Sequence, residues 1–331
     1  MKVYNAKSDK PMTDQLHKLI NDLRLEKNFN AKDYVEKKAK IINEYMNKFN
    51  LKSCVVAVSG GIDSAVVLGI INYAFKQENT PIKKVIPLLL PIAKSTGLTN
   101  QEEATIRGKE LCDKLGLKPY IIDLSKINSV IREDLESVIG ITGDDWAIGQ
   151  IGPYSRTPIL YYTTSLLCQE GFNAIICGTT NKDEGTYLGY IGKASDGMVD
   201  VQIISDIHKS EVYKVGEYLD IPKSIMEVTP SGDMYDNRSD ETVFGAPYDF
   251  VELYLNYLNY DDNKKEKLLN SLDKDSREQF DFYANNLENL HRYNLHKYMG
   301  CSPAIHFDLW DSSVKNGWEG YYDRFKKIMD K

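Results

Sequence analysis

An α/β fold built on a doubly wound parallel sheet is what this sequence predicts, and three observations carry the prediction. Short, nearly unbroken apolar stretches alternate with helix-period segments between Ser53 and Thr179, the pattern of a parallel sheet covered on both faces. One strand-to-helix junction reads SGGIDS, from Ser59 to Ser64, where glycines and hydroxyls gather at a helix N-terminus. The longest apolar run, VIPLLLPIA from Val85 to Ala93, is broken by two prolines and falls short of the roughly 18 residues a membrane-spanning helix needs.

The elements follow in order. From Met12 to Asn47 apolar residues recur at helical spacing (Leu16, Leu19, Ile20, Leu23, then Tyr34, Ala39, Ile42, Tyr45, Met46). This predicts two helices joined near NFNAKD, with Asn30 capping the second. Strand SCVVAVS leads into helix DSAVVLGIINYAF, then strand KKVIPLLLP, helix TNQEEATIRGKELCDKLG and strand PYIIDLS. A helix near Ile127 to Ile139, another from Thr157 to Gln169, and strand NAIICGT complete the alternation. After Gly178 the chain turns polar, with helix KSEVYKVGEYLDIP stopped by Pro222; the segment from Thr229 to Phe244 is rich in turn formers and reads as a lid. From Asp249 onward the sequence is helical and charged. The predicted organisation is an N-terminal helical extension over residues 1–50, the nucleotide-binding domain over 51–248 and a C-terminal helical segment over 249–331 that completes it.

Composition narrows the function. The 331 residues are 42% hydrophobic and 27% charged, with net charge −7 and pI near 5.4, so no basic footprint points to nucleic acid. Cys54, Cys112, Cys168, Cys177 and Cys301 form neither a CxxC pair nor a disulfide framework. The first residues, MKVYNAKSDKPMTDQ, lack the apolar region of a signal peptide. A cytoplasmic protein that handles small molecules, away from membranes, is the expectation.

At the SGGIDS junction, Gly60 and Gly61 can turn their N–H groups inward and the helix N-terminus adds partial positive charge, which together make an anion nest. Ser59 and Ser64 offer hydroxyl donors. Asp63 would repel bare phosphate, yet it could hold a magnesium ion that bridges one. A lone SGG is more often an ordinary turn, and Asp63 an ordinary helix cap; the strand-to-helix context of the whole stretch favours phosphate.

SGGIDS resembles the SGGxDS signature of the N-type ATP pyrophosphatases, the PP-loop superfamily, whose members cleave ATP between the α and β phosphates. Downstream, GTTNKDEGTYLGYIGK and then ASDGMVDVQIISDIHKSEVYKVGEYLDIP resemble the ammonia-dependent NAD synthetase pattern of GTxNxxE, LGY, a lysine, a GDGG-like turn, an aspartate and a helix-opening lysine. TPSGDMYDNRSDETVFGAPYDFVE resembles that family's PSADL segment, and NLHKYMGCSP its closing element. These pieces span Cys54 to Pro303 in the family's order. The resemblance implies an adenine nucleotide alpha-hydrolase-like fold. It implies amidation of deamido-NAD with ammonia through an acyl-adenylate, at the expense of ATP with Mg2+, in a homodimer.

Carried over by position, it puts Ser59, Gly60, Gly61, Asp63, Ser64, Thr179, Lys209 and Ser231 on ATP, and Asp63 and Glu184 on the metal. It puts Lys193, Asp200, His296 and Lys297 on the second substrate. Two polyanions and a leaving pyrophosphate call for such cations. Asp233 and Asp240, in the lid-like segment, are candidates for taking a proton from ammonia. Three departures bear on these assignments. Between Glu184 and Gly189 there is one residue more than the family spacing, which leaves Asp183 as an alternative metal acid. The GDGG-like turn keeps only Asp196 and Gly197. A single arginine, Arg156, stands where the family has an arginine-rich element, as a carboxylate or nucleotide clamp.

The chain leaves no room for a glutaminase domain ahead of Ser59, so free ammonia or a partner would supply nitrogen. Helix TPILYYTTSLLCQ has apolar residues on more than one side, enough to cover both a sheet and a second subunit. Two other readings stay open: an amide synthetase for another carboxylate, and a nucleotide-binding sensor without turnover.

Overall fold

The structure is a computed structural model and describes residues 11–92, 100–232, 238–297 and 305–330. Helices α1 (Asp14–Lys27) and α2 (Ala31–Lys48) open the chain. Asn30 caps α2 by accepting from the Asp33 N–H at 3.0 Å, as an N-cap asparagine should. Strand β1 (Ser53–Ala57) runs into α3 (Ile62–Phe75), then β2 (Lys84–Leu89), α4 (Asn100–Leu115), β3 (Tyr120–Ile121), α5 (Ser125–Ile139), α6 (Asp145–Gln169) and β4 (Ala174–Gly178). Next come α7 (Lys182–Gly185), β5 (Val201–Gln202), α8 (Lys209–Tyr218), α9 (Lys223–Met226), α10 (Asp240–Phe244) and α11 (Tyr248–Leu258). After these come α12 (Asp262–Ser271), α13 (Lys274–Asn294), β6 (Ile305–His306) and α14 (Tyr321–Asp330).

Among the described residues the strands form one parallel sheet in the order β3-β2-β1-β4-β5-β6. The order reverses direction between β1 and β4, and in open sheets of this kind the crevice beyond that switch point receives ligands. The β1 residues Cys54 and Val56 face α2 and α3, whereas Val55 faces Leu160 of α6. This alternation explains why the strand reads as an unbroken apolar run: both faces are buried.

Among the described residues, the helices before β1 and after β5 pack against the sheet domain or against one another. Lys38 on α2 is fully buried, and its ammonium lies 3.0 Å from Asp206 Oδ2 and donates to the Phe307 carbonyl, while Tyr34 Oη donates to Asp206 Oδ1 at 2.7 Å. On α1, Leu16 and Ile20 join Phe250, Phe280, Tyr283 and Leu287 in a second core formed largely by α11 and α13.

Three elements differ from the sequence reading. Helix α6 begins at Asp145, before Thr157, and runs through Pro153 and Pro158; packing of Leu160 against the sheet outweighs the loss of two backbone donors. Strand β3 shrinks to two residues because it is an exposed edge with one partner, although Ile122 N still donates to the Leu89 carbonyl. In the lid-like segment, Asp240 and Phe244 are buried, and Phe244 anchors α10 in the second core.

Candidate functional site

The site is built where β1 ends beside β4. Gly60 adopts φ +77° and a Cβ there would lie 2.4 Å from the Ala104 carbonyl oxygen, so only glycine fits. Ser64 Oγ accepts from the Ser59 N–H and donates to the Gly61 carbonyl, each at 3.1 Å. With that hydrogen committed, Ser59 Oγ is the donor in its 3.1 Å contact with Ser64 Oγ. The N-cap residue of α3, Gly61, supplies no side-chain cap, which leaves the first-turn N–H groups directed at the crevice.

Over this turn stands a buried charge cluster. Lys209, the first residue of α8, places Nζ 2.6 Å from Asp63 Oδ2 and 2.9 Å from Glu184 Oε1. Burial alone would lower its pKa, but Asp63, Glu184 and Asp240 outweigh that effect and raise it well above the ordinary lysine value. Burial raises Glu184 to about 8, with Lys209 opposing and Asp63 and Asp240 adding to the rise. The Tyr248 hydroxyl lies 2.8 Å from both Glu184 Oε1 and Asp240 Oδ2, and the Tyr248 ring sits under the Lys209 ammonium.

Asn181 fixes the geometry from below. Its Oδ1 accepts from the Glu184 N–H at 3.0 Å, which leaves Nδ2 to donate to Asp63 Oδ1 at 2.8 Å. The adjacent acid, Asp183, faces the other way: Oδ1 meets His208 Nδ1 at 2.6 Å and Oδ2 accepts from the Lys209 N–H at 2.7 Å. Glu184 is thus the acid that faces Asp63, and Asp183 caps the helix that carries Lys209. Burial holds the His208 pKa down to about 3, so the imidazole is neutral and donates from Nδ1.

The other sequence-predicted residues lie around this centre at varying remove. Thr179 is half-buried just beyond β4. Ser231 is exposed, next to Pro230, whose carbonyl accepts from the Asp240 N–H at 3.1 Å. Arg156 donates from Nε to the Leu90 carbonyl at 3.4 Å, at the C-terminal end of β2. Its neighbour Thr157 donates to the Ala194 carbonyl, which joins α6 to the loop that carries the exposed Lys193. Lys297 Nζ donates to the Gly189 carbonyl at 2.8 Å, and its pKa is lowered by burial and by Lys193; His296 is exposed. Asp200 stands apart, because its carboxylate accepts from the Ile176 N–H within the sheet at 2.7 Å. Asp233 lies outside the described residues.

Sequence reasoning assigned no role to Asn181, Tyr248 or Gln202. Gln202 Oε1 accepts from the Thr180 N–H at 3.3 Å, and its Nε2 donates to the Asp196 carbonyl at 2.9 Å, tying the two loops above β4 and β5 together. Asn181 carried a usable signal, an N-cap residue three positions before an acid.

Among the described residues no group of three or more His, Cys, Asp or Glu side chains forms a metal site. A magnesium ion bound through phosphates needs only one or two protein carboxylates, and the placement of Asp63 and Glu184 on one ammonium shows that this spot accommodates positive charge. The pair fits such an ion.

The NAD synthase family model matches residues 34–298. The NH(3)-dependent NAD(+) synthetase of Thermoplasma volcanium is 31% identical over 221 residues, covering 66% of this chain and 82% of that protein. In fold, the chain resembles the NMN synthetase from Francisella tularensis, with TM-score 0.64 and 23% identity over 81% of this chain and 96% of the other. It resembles the NH3-dependent NAD synthetase from Campylobacter jejuni with TM-score 0.58 at the same identity and coverage.

Proposed function

The chain belongs to the NAD synthase family, and from that premise we propose that it converts deamido-NAD to NAD with ATP and ammonia, using the residues around Lys209. The nicotinate carboxylate attacks the α phosphorus of ATP, and the bond from that phosphorus to the bridging oxygen breaks as pyrophosphate leaves. Ammonia then attacks the acyl carbon, and AMP departs with the carboxylate-derived oxygen as the amide forms. Holding two substrates in line is the larger part of such catalysis. The observation that carries this reading is the buried lysine fixed between two acids directly above the glycine turn.

In this reading Ser59, Gly60, Gly61 and Ser64 receive the departing pyrophosphate, and Lys209 offsets its charge. Asp63 and Glu184 hold Mg2+, which when bound offsets further phosphate charge. Thr179 and Ser231 border the nucleotide. Arg156, Lys193, His296 and Lys297 border the second substrate, with Asp200 supporting them through the sheet. Asp240, hydrogen-bonded to Tyr248 beside Glu184, is a candidate for accepting a proton from ammonia.

The domain reading remains one nucleotide-binding domain over 51–248, extended by helices over 1–50 and 249–331. A homodimer in the cytoplasm is part of the proposal. Helix α5 buries none of its residues, and Val130, Leu135, Val138 and Ile139 on it are exposed together with Trp146, Tyr154, Tyr162 and Leu166 on α6. So much apolar surface marks a covered face. No helix of the described residues is long and apolar enough to cross a membrane.

Mass spectrometry after incubation with ATP, magnesium and ammonium, with deamido-NAD and deamido-NMN offered together, tests the reading. NAD, AMP and pyrophosphate in equal amounts are expected. Amidation of the mononucleotide alone would replace the acceptor, and no AMP at all would remove the activity.

A further inference from the structure

Helix α4 presses against the glycine turn through Ala104, and one turn further along it Arg107 Nε donates to the Gly60 carbonyl at 3.0 Å. The Arg107 side chain is 16% exposed, whereas Glu103, the carboxylate it pairs with, is 78% exposed and 3.8 Å away. The firmer partner is therefore the loop carbonyl.

The Gly60 carbonyl and the Gly61 N–H belong to one planar peptide unit and point in opposite directions. Holding the carbonyl on α4 turns the N–H to the other side of the turn, where it donates to Ser59 Oγ at 3.3 Å. Ser59 Oγ in turn meets Ser64 Oγ. One contact from outside the turn thus sets the direction of the Gly61 N–H.

We propose that Arg107 is a positioning residue for ATP: it holds the Gly60 carbonyl on α4 and away from the crevice, so that no carbonyl oxygen of the turn faces the departing pyrophosphate. The proposal rests on the reading of this turn as the pyrophosphate site. A carbonyl oxygen kept off the leaving group removes a repulsion that would grow as negative charge develops there.

Three variants separate hydrogen bond, charge and packing. Arg107→Met keeps the stem, Arg107→Gln keeps a neutral N–H donor, and Arg107→Lys keeps the charge. In nucleotide-free protein, amide hydrogen exchange across Ser59 to Asp63 is expected to speed up in Arg107→Met and to slow again in Arg107→Gln. In turnover, Arg107→Met is expected to raise the KM for ATP and the inhibition constant of pyrophosphate together, by roughly ten- to a hundredfold for one charge-assisted hydrogen bond. The KM for the carboxylate substrate and the Tm stay at wild-type values. Unchanged exchange with unchanged KM for ATP overturns the proposal. So does an equal loss for both substrates with a lowered Tm, the mark of a packing role. A wild-type chain that forms no AMP overturns the reading of the site instead, and the exchange result still decides whether Arg107 holds the turn.

Discussion

Replacing Arg24 with methionine removes a charge and leaves two buried carboxylates behind. Arg24 Nη2 lies 2.6 Å from both Asp249 Oδ1 and Glu252 Oε2, and Nε donates to Glu252 Oε2 at 3.0 Å. The three side chains are 8%, 11% and 4% exposed, respectively. Removing one partner of such a group typically costs about 3–5 kcal/mol, because the remaining charges stay buried and unpaired. Glu252 keeps the Ser210 hydroxyl at 2.8 Å, which places the expected loss near the lower end, at about 3 kcal/mol. That is a large share of the roughly 5–15 kcal/mol that holds a domain together.

The assay is urea unfolding at pH 7.5 and at pH 5.5. Without the arginine two buried carboxylates have no counter-charge, and an isolated buried carboxylate is tolerated better in its neutral form than in its charged form. The deficit is therefore expected to be smaller at pH 5.5. The triple variant with Asp249→Asn and Glu252→Gln is expected to recover most of the loss. A deficit below about 1 kcal/mol, independent of pH, would match an exposed ion pair and refute the reasoning.

Four further outcomes are expected. Asp63→Asn and Glu184→Gln should each lower the rate of pyrophosphate release by roughly a hundredfold or more with unchanged far-UV circular dichroism, whereas Asp183→Ala should lower Tm, because it uncaps α8; wild-type rates in either of the first two would end their assignment. Gly60→Ala should abolish ATP binding in calorimetry, since the new Cβ meets the Ala104 carbonyl at 2.4 Å, whereas Gly61→Ala, whose nearest contact is Ser59 Oγ at 3.4 Å, should retain the fold and much of the affinity. Tyr162→Glu, at a side chain 66% exposed on α6, should convert a dimer to a monomer in light scattering; a monomeric, fully active wild type would refute the dimer. His306 is buried with its pKa lowered to about 3 by desolvation and by Lys38 and Arg324. The unfolded chain therefore binds the extra proton between pH 6.5 and 3, stability falls with pH across that window, and His306→Phe should flatten the fall by up to about one proton.

Much of the fold is readable from local pattern. The strands β1, β2 and β4 and the helices α1 to α4 lie within a few residues of where periodicity places them, because burial of one helix face or of both strand faces imprints a short period on the chain. The misread elements are those where tertiary packing prevailed. The prolines of α6 signal a break that contacts with the sheet override. The polar stretch before Gly245 contains Phe244, whose burial depends on α13, far along the chain.

By itself the sequence determined the alternation of strands and helices, the glycine turn after β1 and the family, since each is written in contiguous residues or in an ordered series of short motifs. Only the tertiary structure decided that Lys209 bridges Asp63 and Glu184, that Asp183 turns away to cap α8, that Asp200 serves the sheet, and that Arg24 and Arg107 reach across to α11 and to the glycine turn. Asp63 and Lys209 are 146 positions apart. Their meeting depends on β4 lying beside β1 and on the turn of α7, and no local period encodes either, because which strands pair is settled by the packing of the whole sheet.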